Sequence, residues 1–356
     1  MQLFDHPEHD GHEAVTFASD AASGLRAIIA VHDRTAGPAC GGVRMWPYAN
    51  EAAALTDVLR LSRGMTLKTV MAGLPLGGGK AVILGDSRTD KSPALLRAFG
   101  RAVEGLGGRY IGAEDVGMSP ADMAVIAAET AHVAGRGVAE GGSGDPSPLT
   151  ALGVFEGIRA ALRHATGSND LSDARVAVQG LGHVGLDLCE RLHAAGAALV
   201  VADLDQPRLA QAQVRFQAMV VAPHTIHRVG ADVFAPCALG GVLNATTIPQ
   251  LGARIVAGSA NNQLATAADG ARLAERGILY APDYVINAGG IINVAAEIGG
   301  GRYDRKAVER KVCAIADTLA EIFQAAGGGD TAAIADRIAL QRLAGLRQTA
   351  TGVPAG

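Results

Sequence analysis

Cysteine is scarce in this chain, and the spacing of the cysteines excludes two common roles. Four occur in 356 residues, far apart and never as CxxC, so the sequence has neither the disulfide framework of a small secreted domain nor a zinc knuckle. Reduced thiols are typical of the cytoplasm, where we expect this protein to be found. We interpret Cys189 and Cys313 as core residues of amphipathic helices.

Long apolar runs and clusters of basic residues are also missing. No stretch approaches the roughly 18 consecutive apolar residues of a membrane span, and the acidic N-terminus does not have the basic start of a secretory signal. The formal net charge of -4, with no run of Lys or Arg, gives no electrostatic footprint for nucleic acid or for an anionic membrane. We therefore expect a soluble protein that acts on small molecules, without nucleic-acid or membrane partners.

Several catalytic signatures are absent as well. GGGK at 77–80 superficially resembles a phosphate-binding loop, but Leu74 stands where that loop needs Gly and Ala81 where it needs Ser or Thr. The sequence contains no GxSxG elbow, no HExxH and no paired metal-ligand spacing, so we expect no metal. His6, His9 and His12 are predicted to lie in a solvated strand or turn, and we assign them no function.

What is present is enough apolar sequence for two domains. The chain is 49% hydrophobic and 19% charged, which is typical of a well-packed globular protein. A segment rich in Gly, Ser and Pro at 141–148 predicts a hinge. We expect an α/β first domain at 1–140, which a C-terminal helix at 330–356 joins, a second domain at 141–329, and a cleft between the two.

The first domain is predicted to mix strands and helices. VTFAS and LRAIIAVHD predict a β-hairpin, and Asn50 caps a helix that ends near Gly64. In the segment from Met65 to Leu84, two lysines flank a turn formed by the three glycines 77–79. Further helices are predicted at 92–106 and after Ser119, with a strand in RYIGAEDVG between them.

The second domain carries a dinucleotide-binding signature. Strand and helix patterns alternate through 174–284 and predict a doubly wound parallel sheet. The string GLGHVG follows the first strand and opens a helix, and Asp203 follows the next strand, about 20 residues further on, as a dinucleotide site requires. Because an acidic side chain repels the extra phosphate of NADP, the motif predicts NAD. The alternative is a structural Gly-rich turn beside a chance Asp.

Two lysines in apolar surroundings are the first hint of catalysis. Lysine is rarely buried without a partner, and Lys68 and Lys80 both have apolar neighbours in the sequence. One could bind a carboxylate, while desolvation and a second cation would favour the neutral, basic form of the other. Glu114 and Asp115 are the nearest candidate acids. A salt-bridged surface is the alternative interpretation of these four residues.

Strings along almost the whole chain resemble the Glu/Leu/Phe/Val dehydrogenase family, and most closely its leucine-acting members. They include GPACGGVRMWPY, RGMTLKTVMAGLPLGGGKAVI, GRYIGAEDVG, SGDPSPLTALGVF, VAVQGLGHVG, GSANNQL and APDYVINAGGIINVA. The resemblance implies an N-terminal substrate-binding and oligomerisation domain, a Rossmann domain that binds NAD, and assembly into a homo-oligomer, an octamer or a dimer. It also implies NAD-dependent, reversible oxidative deamination of an amino acid to its 2-oxo acid, with release of ammonia.

The resemblance further implies roles for individual residues. Lys68 is expected to bind the substrate carboxylate, Lys80 to act as the base that activates water, and Asp115 to pass protons to and from the amino group. The expected substrate-binding residues are Lys68, Cys40, Gly41, Gly42, Ala113, Asn287, Ile291 and Val294. The expected cofactor-binding residues are Thr150, Gly180, Leu181, Gly182, His183, Val184, Gly185, Asp203, Leu204, Cys237, Ala238, Ser259, Ala260, Asn261 and Asn262.

The side-chain pocket that the resemblance implies is uncharged. It comprises Cys40, Ala113, Ile291 and Val294, and it would leave the distal carboxylate of glutamate unpaired at a cost of several kcal/mol. We therefore expect leucine as the substrate, with valine and isoleucine also accepted. Cys40 replaces the usual Leu and enlarges the pocket, so a phenylalanine or tryptophan dehydrogenase is the alternative within the family. A non-catalytic NAD sensor is the alternative from a different class.

Overall fold

The computed structural model describes residues 3–135, 142–298 and 303–351. The chain divides into two compact units, each formed from more than one segment. The first comprises Met1–Asp145, Asn293–Tyr303 and Ala339–Gly356, and the second comprises Pro146–Ile292 and Asp304–Ile338. The part of the chain that the structure describes contains no helix long and apolar enough to cross a membrane.

These boundaries differ from the predicted ones in two places. Residues 293–303, expected in the second domain, belong to the first unit, where Asn293 donates a hydrogen bond to the carbonyl of Ser143. The C-terminal helix is shared: Thr331 donates to the carbonyl of Tyr280 in the second unit, whereas Arg342 donates to the carbonyl of Met71 in the first. Sequence patterns could not show this division because it depends on long-range contacts.

The first unit is built on a five-stranded mixed sheet of order β1-β2-β4-β3-β5. Strands β1 and β2 form the predicted antiparallel hairpin, β4 runs antiparallel to β2, and β3 runs parallel to both β4 and β5. The elements are β1 (Ala14–Asp20), β2 (Leu25–Asp33), β3 (Ala39–Trp46), α1 (Glu51–Met71), β4 (Gly77–Leu84), α2 (Pro93–Glu104), β5 (Tyr110–Glu114) and α3 (Pro120–Ala127).

Helix α1 is longer than the sequence predicted. Asn50 caps it as expected, by accepting a hydrogen bond from the backbone N–H of Ala53. The helix does not end near Gly64 but continues to Met71. A glycine within a helix costs only about 1 kcal/mol relative to alanine, and the buried side chains of Leu67, Val70 and Met71 offset that cost by packing.

The predicted glycine turn does not exist, because residues 77–79 are the first three residues of strand β4. Gly78 lies against helix α1, where a Cβ would collide with the backbone nitrogen of Thr66. Gly79 lies against the ring of Tyr110, where a Cβ would stand 2.7 Å from the nearest ring carbon. Close approach of neighbouring elements, and not a turn, therefore explains these glycines.

The second unit contains a six-stranded, fully parallel sheet of order β11-β10-β9-β6-β7-β8, which confirms the doubly wound prediction. Its strands are β6 (Arg175–Gln179), β7 (Ala198–Ala202), β8 (Met219–Val220), β9 (Ala231–Pro236), β10 (Ala253–Val256) and β11 (Leu279–Tyr280). The helices from α4 onward are α4 (Ser147–Thr166), α5 (His183–Ala194), α6 (Gln206–Phe216), α7 (Ala268–Glu275), α8 (Asp283–Ile286), α9 (Gly289–Ile298), α10 (Arg305–Cys313), α11 (Ile315–Ala326) and α12 (Thr331–Thr351).

Two smaller predictions need correction. Ser147 and Pro148, placed in the hinge segment, already belong to α4, and Gly141 lies outside the described residues. Cys189 is buried as predicted, but Cys313 is exposed, because it lies on the outer face of α10 whereas Val308 and Val312 face inward.

Candidate active site

One face of the first unit's sheet carries most of the predicted catalytic residues. Cys40 pairs with Gly78 and Ile111 in the neighbouring strands, and Gly42 pairs with Ala113. Side chains two residues apart on a strand lie on the same face, so Lys80 shares a face with Val82, which packs against α1. The strand register therefore brings together residues that are far apart in the sequence.

Lys80 and Asp115 form a close ion pair on this face. The Lys80 Nζ donates to Asp115 Oδ2 at 2.5 Å, and the two side chains are only 7% and 19% exposed. Burial raises the pKa of Asp115, but the positive charges of Lys80 and Arg44 outweigh that effect and lower it to about 2. The carboxylate is therefore ionised at neutral pH and lies in contact with the Lys80 amine.

Arg44 is a third charged residue of this cluster, and the sequence reasoning missed it. Its Nε donates to Asp115 Oδ2 at 3.1 Å, and its Nη1 donates to Asp57 Oδ2 at 2.9 Å. The Tyr48 hydroxyl also donates to Asp57 Oδ2, at 2.5 Å. A signal was available, because Arg44 stands two residues after Gly42 on the same strand and so faces the same side of the sheet.

Two glycines leave the room that this cluster occupies. A Cβ at Gly42 would lie 2.5 Å from Asp115 Cβ and 2.9 Å from Lys80 Nζ. A Cβ at Gly41 would lie well within van der Waals distance of the Gly79 carbonyl in β4. Real Cβ atoms do not approach other atoms so closely, so only glycine fits beside the ion pair.

Lys68 lies in the last turn of α1 and is partly buried. Two residues earlier on this helix, Thr66 contacts β4 at Gly78, so the missing side chain of Gly78 lets α1 lie directly on the strand that carries Lys80. Lys68 also interacts with another group of the protein. Its predicted contact with a substrate carboxylate stays a prediction.

The four pocket residues are only partly brought together. Cys40 is fully buried and Ala113 is 6% exposed; they lie on the adjacent strands β3 and β5. Burial raises the pKa of the Cys40 thiol to about 12, so it is a neutral, apolar wall and not a nucleophile. Ile291 and Val294 are both on α9 but fall in different units, and the complete pocket stays a prediction.

The glycine motif of the second unit forms the turn between β6 and α5. Gly180 has a φ of +99°, which favours glycine, and a Cβ at Gly185 would collide with the Gly180 carbonyl. No atom of the described residues lies within 4 Å of a Cβ at Gly182. Leu181 precedes the helix, His183 and Val184 begin it, and among the described residues no side chain caps its N-terminus.

Asp203 fixes the position of this turn. Its Oδ2 accepts from the backbone N–H of Leu181 at 2.5 Å and its Oδ1 from the N–H of Asp205 at 2.8 Å. The neighbouring Leu204 is 87% exposed. Each carboxylate oxygen keeps a further lone pair, so Asp203 can still accept hydrogen bonds from a ligand.

A second cluster of predicted cofactor residues surrounds Asn287. Its Nδ2 donates to the Ser259 carbonyl at 3.1 Å and to Asn261 Oδ1 at 2.8 Å. Its own Oδ1 is buried, and no donor contacts it among the described residues. Such an acceptor is costly unless a ligand or water supplies the missing hydrogen. Ala260 is buried and Asn262 has a φ of +52°.

The remaining predicted cofactor residues lie in two places. Cys237 and Ala238 follow β9 and pack against the glycine turn, since a Cβ at Gly180 would lie 2.9 Å from both. Thr150, in the first turn of α4, donates its hydroxyl to the Pro146 carbonyl at 3.1 Å, and it lies next to Gly290.

Comparisons with known proteins agree with this architecture. Residues 11–132 match the dimerisation domain of the Glu/Leu/Phe/Val dehydrogenases, and residues 141–207 and 204–344 match the glutamate/leucine/phenylalanine/valine dehydrogenase domain. A leucine dehydrogenase of Geobacillus stearothermophilus is 51% identical over 98% of this chain and 95% of its own length. A valine dehydrogenase of Streptomyces albus is 49% identical over 96% and 95%.

Among solved structures, the L-tryptophan dehydrogenase of Nostoc punctiforme superposes with a TM-score of 0.82 at 47% identity, over 95% of this chain and 97% of that one. These matches cover both units with the buried Lys80–Asp115 pair and the Gly180–Gly185 turn. The chain therefore belongs to the Glu/Leu/Phe/Val dehydrogenase family of amino-acid dehydrogenases.

Proposed function

We propose that this protein catalyses the reversible, NAD-dependent oxidative deamination of an apolar L-amino acid, leucine with valine and isoleucine, to the 2-oxo acid and ammonia. The observation that carries the proposal is the buried contact of 2.5 Å between Lys80 and Asp115. A buried amine and carboxylate in contact can exchange a proton without bulk water. The similarity to leucine and valine dehydrogenases supports the apolar substrate.

In this mechanism each charged residue has one task. Lys68 holds the substrate carboxylate. Lys80, once it has passed its proton on, takes a proton from the water molecule that attacks the oxidised α-carbon. Asp115 moves protons to and from the departing amino group, and its low pKa, about 2, returns it to the ionised form after each transfer.

The residues of the second unit fit NAD. The N-terminus of α5, which follows the Gly180 turn, has no side-chain cap among the described residues and can offer its first backbone N–H groups to a pyrophosphate, and Asp203 offers lone pairs to ribose hydroxyls. The buried Asn287 Oδ1 without a donor suits the carboxamide of a nicotinamide or the substrate amine. When bound, NAD supplies the acceptor for the hydride that leaves the α-carbon. The acid at position 203 favours NAD over NADP, because it repels the added phosphate.

The direct test is the absorbance of NADH formed with leucine, valine, isoleucine, phenylalanine, tryptophan or glutamate. We expect turnover with the branched aliphatic substrates and none with glutamate. Because a tryptophan dehydrogenase is among the relatives, an aromatic amino acid is the competing substrate. A higher kcat/KM for phenylalanine or tryptophan than for leucine would make that amino acid the assigned substrate instead of leucine. Absence of NADH with every amino acid would favour the NAD-sensing alternative.

Lys80→Ala separates catalysis from cofactor binding. We expect this variant to bind NAD as the wild type does, measured by calorimetry, and to lose roughly 10³-fold or more in kcat. Retained turnover would refute the role of Lys80 as base.

The matched dimerisation domain also supports a homo-oligomer, and sedimentation would decide between a dimer and an octamer.

A further inference from the structure

Arg44 joins the catalytic pair to a second, peripheral pair of polar residues. Its guanidinium contacts two carboxylates at once, Asp115 on the side of Lys80 and Asp57 on helix α1. Tyr48, between β3 and α1, donates to the same oxygen of Asp57 that Arg44 contacts. The result is a continuous line of hydrogen bonds from Tyr48 through Asp57 and Arg44 to Asp115.

The line is partly buried along its length. The side chains of Arg44, Asp57 and Asp115 are 20%, 28% and 19% exposed, so water screens their charges less than it would at the surface. Arg44 and Lys80 share one oxygen of Asp115, so these two cations are at most the sum of two hydrogen-bond lengths apart. A planar guanidinium can span two carboxylates in fixed geometry, which a lysine cannot.

We propose that Arg44 is a positioning residue that holds the anionic Asp115 carboxylate against Lys80. Asp57 and Tyr48 hold Arg44 in place, and the negative charge of Asp57 partly offsets the positive charge that Arg44 presents to Asp115. The proposal rests on the function proposed above. In this proposal Arg44 is the second positive charge next to Lys80. Lys80 and Asp115, and not Arg44, transfer the protons of the reaction.

Charged and titratable groups approach Asp115 from each packed element. Lys80 comes from β4, Arg44 from β3, and Tyr110 from β5, where its hydroxyl donates to the Gly41 carbonyl at 2.7 Å; Asp57 comes from α1 through Arg44. Loss of one positive charge from this cluster favours proton binding by every other member. Activity that depends on proton transfer by the Lys80–Asp115 pair is then expected to begin at higher pH.

The experiment compares pH profiles of kcat/KM for leucine in wild type, Arg44→Met and Asp57→Asn. For Arg44→Met we expect the acid limb to move to higher pH by about one unit, a tenfold loss at a fixed pH on that limb. Its KM should change less than its kcat, because the proposal gives Arg44 contacts with Asp57 and Asp115 and none with the substrate. For Asp57→Asn, which removes a negative charge, we expect no upward shift. The matched control is Arg34→Met, which breaks an Nε–carboxylate pair of 2.7 Å with Glu13 at the surface and should leave the profile unchanged.

Equal upward shifts in Arg44→Met and Asp57→Asn, or a profile of Arg44→Met that coincides with the wild type, would overturn the proposal. If Arg44→Met does not fold, Arg44→Lys replaces it: this variant keeps the charge, so its acid limb should stay within a few tenths of a unit, while kcat falls because the bridge to Asp57 is broken. An inactive wild type would instead contradict the proposed function, which separates the two failures.

Discussion

Gly42 affects the Lys80–Asp115 ion pair through the space that its missing side chain leaves, and not through charge. It has no charge and makes no side-chain contact, yet the ion pair occupies the volume that any other residue would fill. The nearest atoms to its missing Cβ are those of Asp115 and Lys80, and the Cβ of Asp115 is fixed by the backbone that follows β5. The substrate-binding role predicted for Gly42 therefore has a steric component at the ion pair itself.

Gly42→Ala is expected to reduce kcat/KM by about 100-fold. The added methyl would stand 2.5 Å from Asp115 Cβ and must displace the carboxylate from Lys80, and displacements of about 1 Å in a reacting group cost rates of this order. Steady-state kinetics with leucine measures the loss.

The matched control is Gly64→Ala on α1, where the described part of the chain places no atom within 4 Å of the added Cβ. Relief of glycine flexibility within a helix should stabilise that variant by about 0.5–1 kcal/mol in urea unfolding, with kcat/KM unchanged. Wild-type kinetics in Gly42→Ala would show that the pair tolerates a methyl group and would remove the steric argument.

At the scale of elements, the last turn of α9 anchors two distant backbone segments of the first unit. Glu297 Oε2 accepts from the backbone N–H of Gly135 at 3.0 Å, and from the N–H and hydroxyl of Ser143, both at 3.1 Å. Asn293, one turn earlier, donates to the carbonyl of Ser143 at 3.4 Å and accepts from the Tyr303 hydroxyl at 2.6 Å. Val294 lies on the same turn, so these bonds also fix a predicted pocket residue.

Glu297→Ala is expected to lower the free energy of unfolding by about 2–4 kcal/mol, because it leaves two part-buried N–H groups without their acceptor. Glu297→Gln keeps an acceptor oxygen in the same place and should lose less than half as much. Urea unfolding of both variants measures the difference. Equal losses would mean that the charge, and not the hydrogen bonds, carries the stabilisation.

At the scale of the whole molecule, the N-terminal histidines bear on stability. The prediction that His12 is solvated was wrong: its Nε2 contacts the Leu59 carbonyl at 3.1 Å and Ser62 Oγ at 3.0 Å on α1. Its ring centroid lies 4.8 Å from that of His32, which is buried and bonds Thr66. Sequence patterns missed these contacts because they join residues 20 and more positions apart.

We expect the protein to lose stability as the pH falls from about 6.5 to about 4. Burial and the neighbouring His32 lower the pKa of His12 from 6.5 to about 4, and burial also lowers the pKa of His32. Both rings are therefore neutral when folded and gain protons on unfolding, so their contribution is complete above the unfolded pKa and is lost below it. For the half-buried His12 the loss is at most about 3 kcal/mol.

Urea unfolding at pH 7.5 and pH 5.0 measures this loss. The carboxylates with lowered pKa, such as Asp33 and Asp115, lose their contribution only at lower pH and so do not obscure the histidines. His12→Gln should show a smaller difference between the two pH values. A wild type equally stable at both would contradict the assignment.

Much of the fold followed from local patterns. The hairpin of β1 and β2, the Asn50 cap, the helices that follow Ser92 and Ser119 and the alternation of the second unit were predicted because turn chemistry, capping and periodicity act over a few residues. The end of α1 and the role of glycines 77–79 were not predicted. Whether a helix or strand continues through a glycine depends on the element that packs against it, which local sequence does not show.

The sequence by itself determined the dehydrogenase family, the Gly180–Gly185 motif with Asp203, and the identity of Lys80 and Asp115 as candidate catalytic residues, since these depend on residue types at fixed spacing. The tertiary structure alone decided that Lys80 contacts Asp115, that Arg44 contacts the same carboxylate, and that Asp57 and Tyr48 hold Arg44 from its other side. The register between parallel strands and the packing of α1 on β4 bring these side chains within hydrogen-bond distance. Neither can be deduced from the spacing of residues along the chain.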